Sequence, residues 1–276
     1  MWKWVSDMIV NQEIGYLGRL ANQMFQYAAL VGIANKNHYD YGIPYENARR
    51  SKTTQPYGHK EKLELMDEFN LSAKDSTGFT PHNRLAYYEN KYDERVFDVP
   101  DNITMSGYFQ VPKFFEHCSD KIKDEFSFTL ETTERCWEKL SSFDRDFQVS
   151  AVHVRRTDYA KSNGWHNMLG MDYYNEAISN IGSGKYVIFS DDIEWCKEKF
   201  VSDDNKQFFF SEGMNQFQDM CLISMCKNVI MANSSFSWWG AYLNPHADTI
   251  IAPKKWLGTS PEESWRDIYC EDWIKV

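Results

Sequence analysis

Val149-Ser150-Ala151-Val152-His153-Val154 runs without interruption into Arg155-Arg156-Thr157-Asp158. A short apolar strand followed at once by two guanidinium forks and a carboxylate decides how this chain is read. An Arg-Arg pair by itself is ordinary surface charge. Two forks at the exit of a buried strand also match the geometry of phosphate oxygens. The second reading gains weight because three further polar clusters follow strand-like segments in the same half. The apolar runs Tyr186–Phe189, Gln207–Phe210, Val229–Ala232 and Thr249–Ala252 read as short buried strands. Helical segments are expected between them, at Asp172–Asn180, Ile193–Phe200, Met214–Cys226 and Phe236–Leu243. In the third of these, Phe217, Met220, Cys221 and Ser224 share one face, as in a helix laid on a sheet.

Strands alternating with helices predict right-handed βαβ units and a doubly wound parallel sheet. Ligands of such sheets bind beyond the carboxyl ends of the strands. The expected exits are Arg155-Arg156-Thr157-Asp158, Ser190-Asp191-Asp192, Ser211-Glu212-Gly213 and Asn233-Ser234-Ser235-Phe236-Ser237. All four then gather on one edge. The serine run has a plain reading as an N-cap and a functional one as a phosphate cradle. Asp191 and Asp192 fit a base or ribose contact, a metal–phosphate bridge, or simply a helix start. Two arginines already neutralise a diphosphate, which favours the base or ribose contact and no metal. His153, inside the strand, shapes the loop rather than carrying protons.

The first half is less regular. Met8–Val10 reads as a strand, followed by Gly15-Tyr16-Leu17-Gly18-Arg19 and a helix from Ala21 to Asn35 with Ala21, Met24, Phe25, Ala28 and Val31 as its apolar stripe. The glycines permit a tight turn that presents backbone N–H groups and Arg19 or Asn22 to a ligand. A strand is expected at Thr104–Gln110, with Pro112 opening a helix toward Asp120, and Glu131–Arg145 as a helix and the link between halves. The expected domains are 1–146 and 147–276, with the last helix packing back on the N-terminal half.

Composition narrows the class. The chain has 276 residues, 42% of them hydrophobic and 16% aromatic, and a formal net charge of −10. That length allows one large domain or two of ordinary size. The acidic balance disfavours nucleic acid as a partner. There is no apolar run of membrane-spanning length and, in Met1–Val10, no secretory signal, so a cytoplasmic protein with no membrane span is expected. The six cysteines lack metal-ligand spacing and read as reduced thiols. The chain has no phosphate-loop lysine motif, no nucleophile elbow and no GxGxxG after its first strand.

Four segments, taken together, resemble the α-1,2-fucosyltransferases of glycosyltransferase family 11. They are Gly18-Arg19-Leu20-Ala21-Asn22-Gln23-Met24-Phe25-Gln26-Tyr27-Ala28, His153 to Tyr159, Phe189 to Cys196, and Asn233 to Gly240. Gly107-Tyr108-Phe109-Gln110 is similar to that family as well. The resemblance implies an α/β, GT-B-like fold with two Rossmann-type halves facing a cleft, the first serving the acceptor. It implies inverting transfer from GDP-L-fucose to the 2-hydroxyl of a galactoside-terminated oligosaccharide, without a metal. It also implies catalytic roles for Arg155, Asn22 and Asp158. Donor contacts would come from Gly18, Arg19, His153, Arg156, Asp191, Asp192, Asn233, Ser234, Ser235, Phe236 and Ser237. Asn163 stands about where some α-1,6 enzymes place a glutamate, which disfavours that linkage. Alternatives are another fucosyl linkage, a metal-dependent sugar-nucleotide transferase and a non-catalytic glycan-binding protein.

Overall fold

The computed structural model describes residues 7–49, 53–54, 60–88, 91–161, 166–258 and 262–276. Asn163 lies outside the described residues. Contacts divide the chain into two units, Met1–Ser127 and Phe128–Val276.

The first unit carries β1 (Met8–Val10), α1 (Leu20–Asn37), β2 (Asp40–Ile43), α2 (Glu46–Arg49), β3 (Thr53–Thr54), β4 (Lys60–Glu61), β5 (Lys74–Asp75), β6 (Asn83–Ala86), β7 (Ile103–Ser106) and α3 (Ser119–Glu125). Five of its strands form a parallel sheet in the order β5-β2-β1-β7-β6, while β3 and β4 pair with each other antiparallel. Every residue of α1 from Gln23 to Ala34 is buried, so this helix is a core element on all sides rather than a one-faced cover. It ends at His38, whose left-handed backbone (φ 59°) lets its N–H reach back to the Asn35 carbonyl.

The strand expected over Thr104–Gln110 stops at Ser106. Gly107 turns the chain with φ 135°, and a Cβ there would stand 1.8 Å from the Tyr87 carbonyl oxygen. Pro112 opens two 3-10 turns, Pro112–Phe114 and Glu116–Cys118, instead of an α-helix. These turns bury the adjacent Phe114 and Phe115 on different neighbours, Tyr87 and Phe97 for one ring and Phe25 for the other.

The second unit carries α4 (Leu130–Phe143), β8 (Val149–Val154), α5 (Met171–Ile181), β9 (Gly184–Ser190), α6 (Ile193–Lys199), β10 (Lys206–Phe210), α7 (Gln216–Ser224), β11 (Asn228–Ile230), α8 (Ser235–Tyr242), β12 (Thr249–Ala252) and β13 (Ile274–Lys275). Its sheet is parallel throughout, ordered β10-β9-β8-β11-β12-β13. Numbered within the unit, that is 3-2-1-4-5-6, the doubly wound order whose direction reverses between the first and fourth strands. All six residues of β8 are buried, as expected for the central strand. At the edge, β10 is only half-buried despite its three consecutive phenylalanines.

The division between units falls at 127/128, ahead of the 146/147 expected from sequence. Helix α4 accounts for the difference. Its Thr132, Cys136 and Leu140 form a buried i, i+4, i+8 stripe, and the Cys136 thiol reaches the Gln218 carbonyl of α7 at 3.2 Å. The C-terminal segment belongs to the second unit, and the expected last helix is replaced there by 3-10 turns. Glu262–Ile268 makes 3-10 turns, its Ile268 carbonyl accepts the Trp238 indole N–H at 2.6 Å, and β13 extends the sheet beside β12. Among the described residues no helix is long and apolar enough to cross a membrane.

Candidate active site

Register places the site. Ile230 of β11 pairs with Val152 of β8, so Asn233 and Arg155 each lie three residues past that pair. Val154 pairs with Ser190, which puts Asp191 level with Arg155. The arginine, aspartate and serine clusters therefore leave the sheet together at its carboxyl edge, on either side of the point where strand order reverses.

Within the cluster, the carboxylates hold the arginines. Arg155 donates to both Asp158 oxygens, Nε to Oδ1 at 2.9 Å and Nη2 to Oδ2 at 2.6 Å, and its Nη1 lies 3.3 Å from Asp191. Burial opposes the Arg155 charge, but Asp158 and Asp191 outweigh it and hold the guanidinium above its ordinary pKa. Asp191 also accepts the Arg156 N–H at 2.9 Å, the Thr157 N–H at 3.2 Å and the Thr157 hydroxyl at 2.5 Å. Asp192 caps α6 through the Trp195 N–H and pairs with Arg156 Nε at 3.2 Å. The Arg156 guanidinium rests 3.8 Å from the Trp195 ring centroid, so stacking fixes its plane. Asp191 and Asp192, expected at a base or ribose, are thus tied by their carboxylates to the arginine loop.

The serine run is held in a similar way. Ser234 caps α8 by accepting the Phe236 N–H at 3.3 Å. Ser237 is fully buried, and its hydroxyl bonds the Ala232 and Ser234 carbonyls and lies 3.0 Å from His153 Nδ1. That contact links β8 to the start of α8 across the reversal point, with the Phe236 ring 5.5 Å from the imidazole. Burial, with the nearby Arg155 charge, lowers the His153 pKa to about 3, so the ring is neutral at physiological pH and has a structural task. Asn233 donates to the Asn167 and Trp256 carbonyls at 2.8 and 2.7 Å. Tyr159 donates to the Asn233 carbonyl at 2.7 Å and stacks on His166, tying the loop after β8 to the exit of β11. What this edge leaves to present is two oriented guanidinium groups and the backbone of a helix start.

Gly18, Arg19 and Asn22 belong to the first unit. Gly18 has φ 84°, and a Cβ on it would fall 2.5 Å from Cβ of Asn22, so only glycine lets the turn close over that side chain. Asn22 accepts from Gln110 Nε2 at 2.8 Å, and Arg19 is exposed. Two residues that the sequence reading passed over brace the turn. Buried Gln23 donates to the Gly18 and Lys62 carbonyls, and Gln26 to the Leu17 carbonyl at 2.6 Å. Among the described residues no group of three His, Cys, Asp or Glu side chains is placed to hold a metal ion.

Residues 3–276 match the family model for glycosyl transferase family 11. The chain belongs to glycosyl transferase family 11. Among relatives in the family, an alpha-1,2-colitosyltransferase of Escherichia coli is 29% identical, covering 94% of this chain and 96% of that protein. Galactoside alpha-(1,2)-fucosyltransferase 1 of Alouatta caraya is 27% identical over 82% of this chain, which spans 63% of that longer protein. A crystal structure of the NodZ alpha-1,6-fucosyltransferase soaked with GDP-fucose superposes with a TM-score of 0.53 at 12% identity, covering 87% of this chain and 94% of that one. The likeness is one of fold: two parallel-sheet α/β halves of the GT-B type.

Proposed function

We propose that this glycosyltransferase is an inverting α-1,2-fucosyltransferase, moving L-fucose from GDP-β-L-fucose to the 2-hydroxyl of a terminal galactoside. The observation that carries the reading is the Arg155 fork, fixed by Asp158 and Asp191 at the reversal point of a 3-2-1-4-5-6 sheet. The family and its α-1,2 relatives supply the linkage.

In this reaction the acceptor oxygen bonds to the anomeric carbon from the face opposite GDP, and its hydroxyl proton passes to water. The bond from that carbon to the β-phosphate oxygen breaks, and its electron pair leaves with GDP. Charge therefore builds on the diphosphate, where preorganised donors are each worth about 10²–10³ in rate. Arg155 and Arg156 supply such donors, and the start of α8 adds backbone N–H groups and a favourable dipole. Asp158 acts as a positioning residue, because its two oxygens are taken by Arg155. Asn22, above its glycine turn, serves the same reaction from the first unit, which we assign to the acceptor. No metal is called for: the carboxylates able to bridge one already bind the arginine loop. The six free thiols suit a reducing compartment, where we place the enzyme.

The test is incubation with GDP-fucose and lactose in EDTA, reading GDP release and the product linkage by NMR. An α-1,2-fucosylated galactose is expected. Neither donor binding nor transfer would refute the proposal. A second donor follows from the colitosyltransferase relative. Colitose is fucose without its 3-hydroxyl, and parallel assays with GDP-colitose rank the two by kcat/KM.

A further inference from the structure

The first unit contains a cavity of about 320 Å³ that the donor chemistry does not use. Gln12 follows β1, Asn47 follows β2, and Ser76, Phe79 and Thr80 follow β5; Tyr16 completes this part of the wall. These three strands are parallel neighbours, so the cavity opens at their carboxyl edge, where sheets of this kind take ligands. Its volume lies near the lower end of small-molecule sites, roughly 300–1,000 Å³, and suits one sugar ring better than a nucleotide.

The wall is built and polar. Asn47 Nδ2 donates to the Gln12 and Ile14 carbonyls at 3.2 and 2.9 Å, and the Gln12 amide donates to the Phe79 carbonyl. The Phe79 N–H closes a turn on the Ser76 carbonyl at 2.9 Å. None of the lining residues is Lys or Arg, and Glu46 is one of them, so phosphate finds no countercharge. Ser76 is fully buried, yet its hydroxyl has no hydrogen-bond partner. Buried hydroxyls are ordinarily paired, and one left over in the wall of a polar cavity marks where a ligand's polar atom fits. Half-buried Tyr16 adds an aromatic side chain of the kind against which the C–H face of a pyranose packs.

We propose that this cavity is the subsite for a neutral pyranose ring of the acceptor oligosaccharide, with the Ser76 hydroxyl bonding one sugar hydroxyl. The inference rests on the galactoside acceptor proposed above. Two variants test it: Ser76→Ala removes the hydroxyl, and Thr80→Trp, at an exposed position, obstructs the mouth. The expected result is a KM for lactose raised about tenfold by Ser76→Ala, equivalent to about 1.4 kcal/mol and the scale of one hydrogen bond, and further by Thr80→Trp. The KM for GDP-fucose and the slow hydrolysis of GDP-fucose stay unchanged. Saturation-transfer NMR with lactose alone reads binding without turnover and separates the two proposals. If the native enzyme transfers no fucose but its lactose signal is lost in Thr80→Trp, the subsite stands and the reaction falls. A lactose signal that is absent from the native protein, or unaltered in both folded variants, overturns the subsite. An active enzyme whose lactose KM is unmoved by both substitutions does the same.

Discussion

Asp191→Ala removes the residue that the structure makes the brace of the arginine loop. Its carboxylate accepts three hydrogen bonds, from Arg156 N at 2.9 Å, Thr157 N at 3.2 Å and Thr157 Oγ1 at 2.5 Å, and stands 3.3 Å from Arg155 Nη1. Hydrogen bonds to a charged group contribute about 1.5–3 kcal/mol each. The site sits at a strand exit with the Asp191 side chain 19% exposed, so water replaces part of what is lost. The expected destabilisation is about 2–4 kcal/mol, below the sum of the single bonds because the contacts are coupled. A catalytic fork displaced by about 1 Å forfeits about 10² in rate, which is the expected fall in kcat with GDP-fucose. Urea unfolding measures the first effect and steady-state kinetics the second. Inhibition separates bracing from nucleoside contact. If Asp191 acts through the arginines, GDP and inorganic pyrophosphate lose affinity by the same factor. A loss confined to GDP, or a folded variant with native kinetics, would refute the reasoning.

Buried His153 and half-buried Asp219, both in the second unit, give opposite pH dependences. The His153 pKa is about 3 in the fold against an ordinary 6.5, so the unfolded chain binds the proton first and stability falls as pH drops from 6.5 toward 3. Burial raises Asp219 from 3.8 to about 6, against the pull of the Ser211 hydrogen bond and Lys139; its contribution is complete below pH 3.8 and lost as pH rises through 6. Asp219→Asn should therefore gain stability relative to the native protein by about 1.4 kcal/mol per pH unit between those values, measured by denaturant titration across pH; a flat difference would contradict the assignment. Gly18→Ala should cost about 1–2 kcal/mol for the left-handed backbone and more for displacing Asn22, with kcat falling further than thermal stability explains. An active, native-like Gly18→Ala would show that the turn does not position Asn22.

The second unit was the more legible half because its physics is local. The β8 segment is apolar at four of six positions and passes directly into charge, so strand and exit are both visible. Parallel pairing then puts every exit on one edge, which is why the four polar clusters could be grouped without coordinates. The partners within that edge could not be. The Asp191 carboxylate meets the Arg156 and Thr157 N–H groups only because register sets Ser190 against Val154, and no local pattern encodes register. Ser237 looked like a free hydroxyl but turns inward to His153, a contact made 84 residues apart. In the first unit β5 is Lys-Asp and β6 begins Asn-Arg; both are strands through pairing with β2 and β7 rather than through apolar pattern. Gln23 and Gln26 carried a usable signal, two amides inside the apolar run of α1, where a buried side chain must find partners.

The central claim is that the Arg155 guanidinium fork stabilises a departing diphosphate. Single-turnover kinetics of Arg155→Ala and Arg155→Lys with GDP-fucose and lactose tests it most directly. Both variants should be folded and slower by about 10² or more, the lysine no better than the alanine, because a point charge cannot replace two oriented donors. Turnover near the native rate in either folded variant would contradict it.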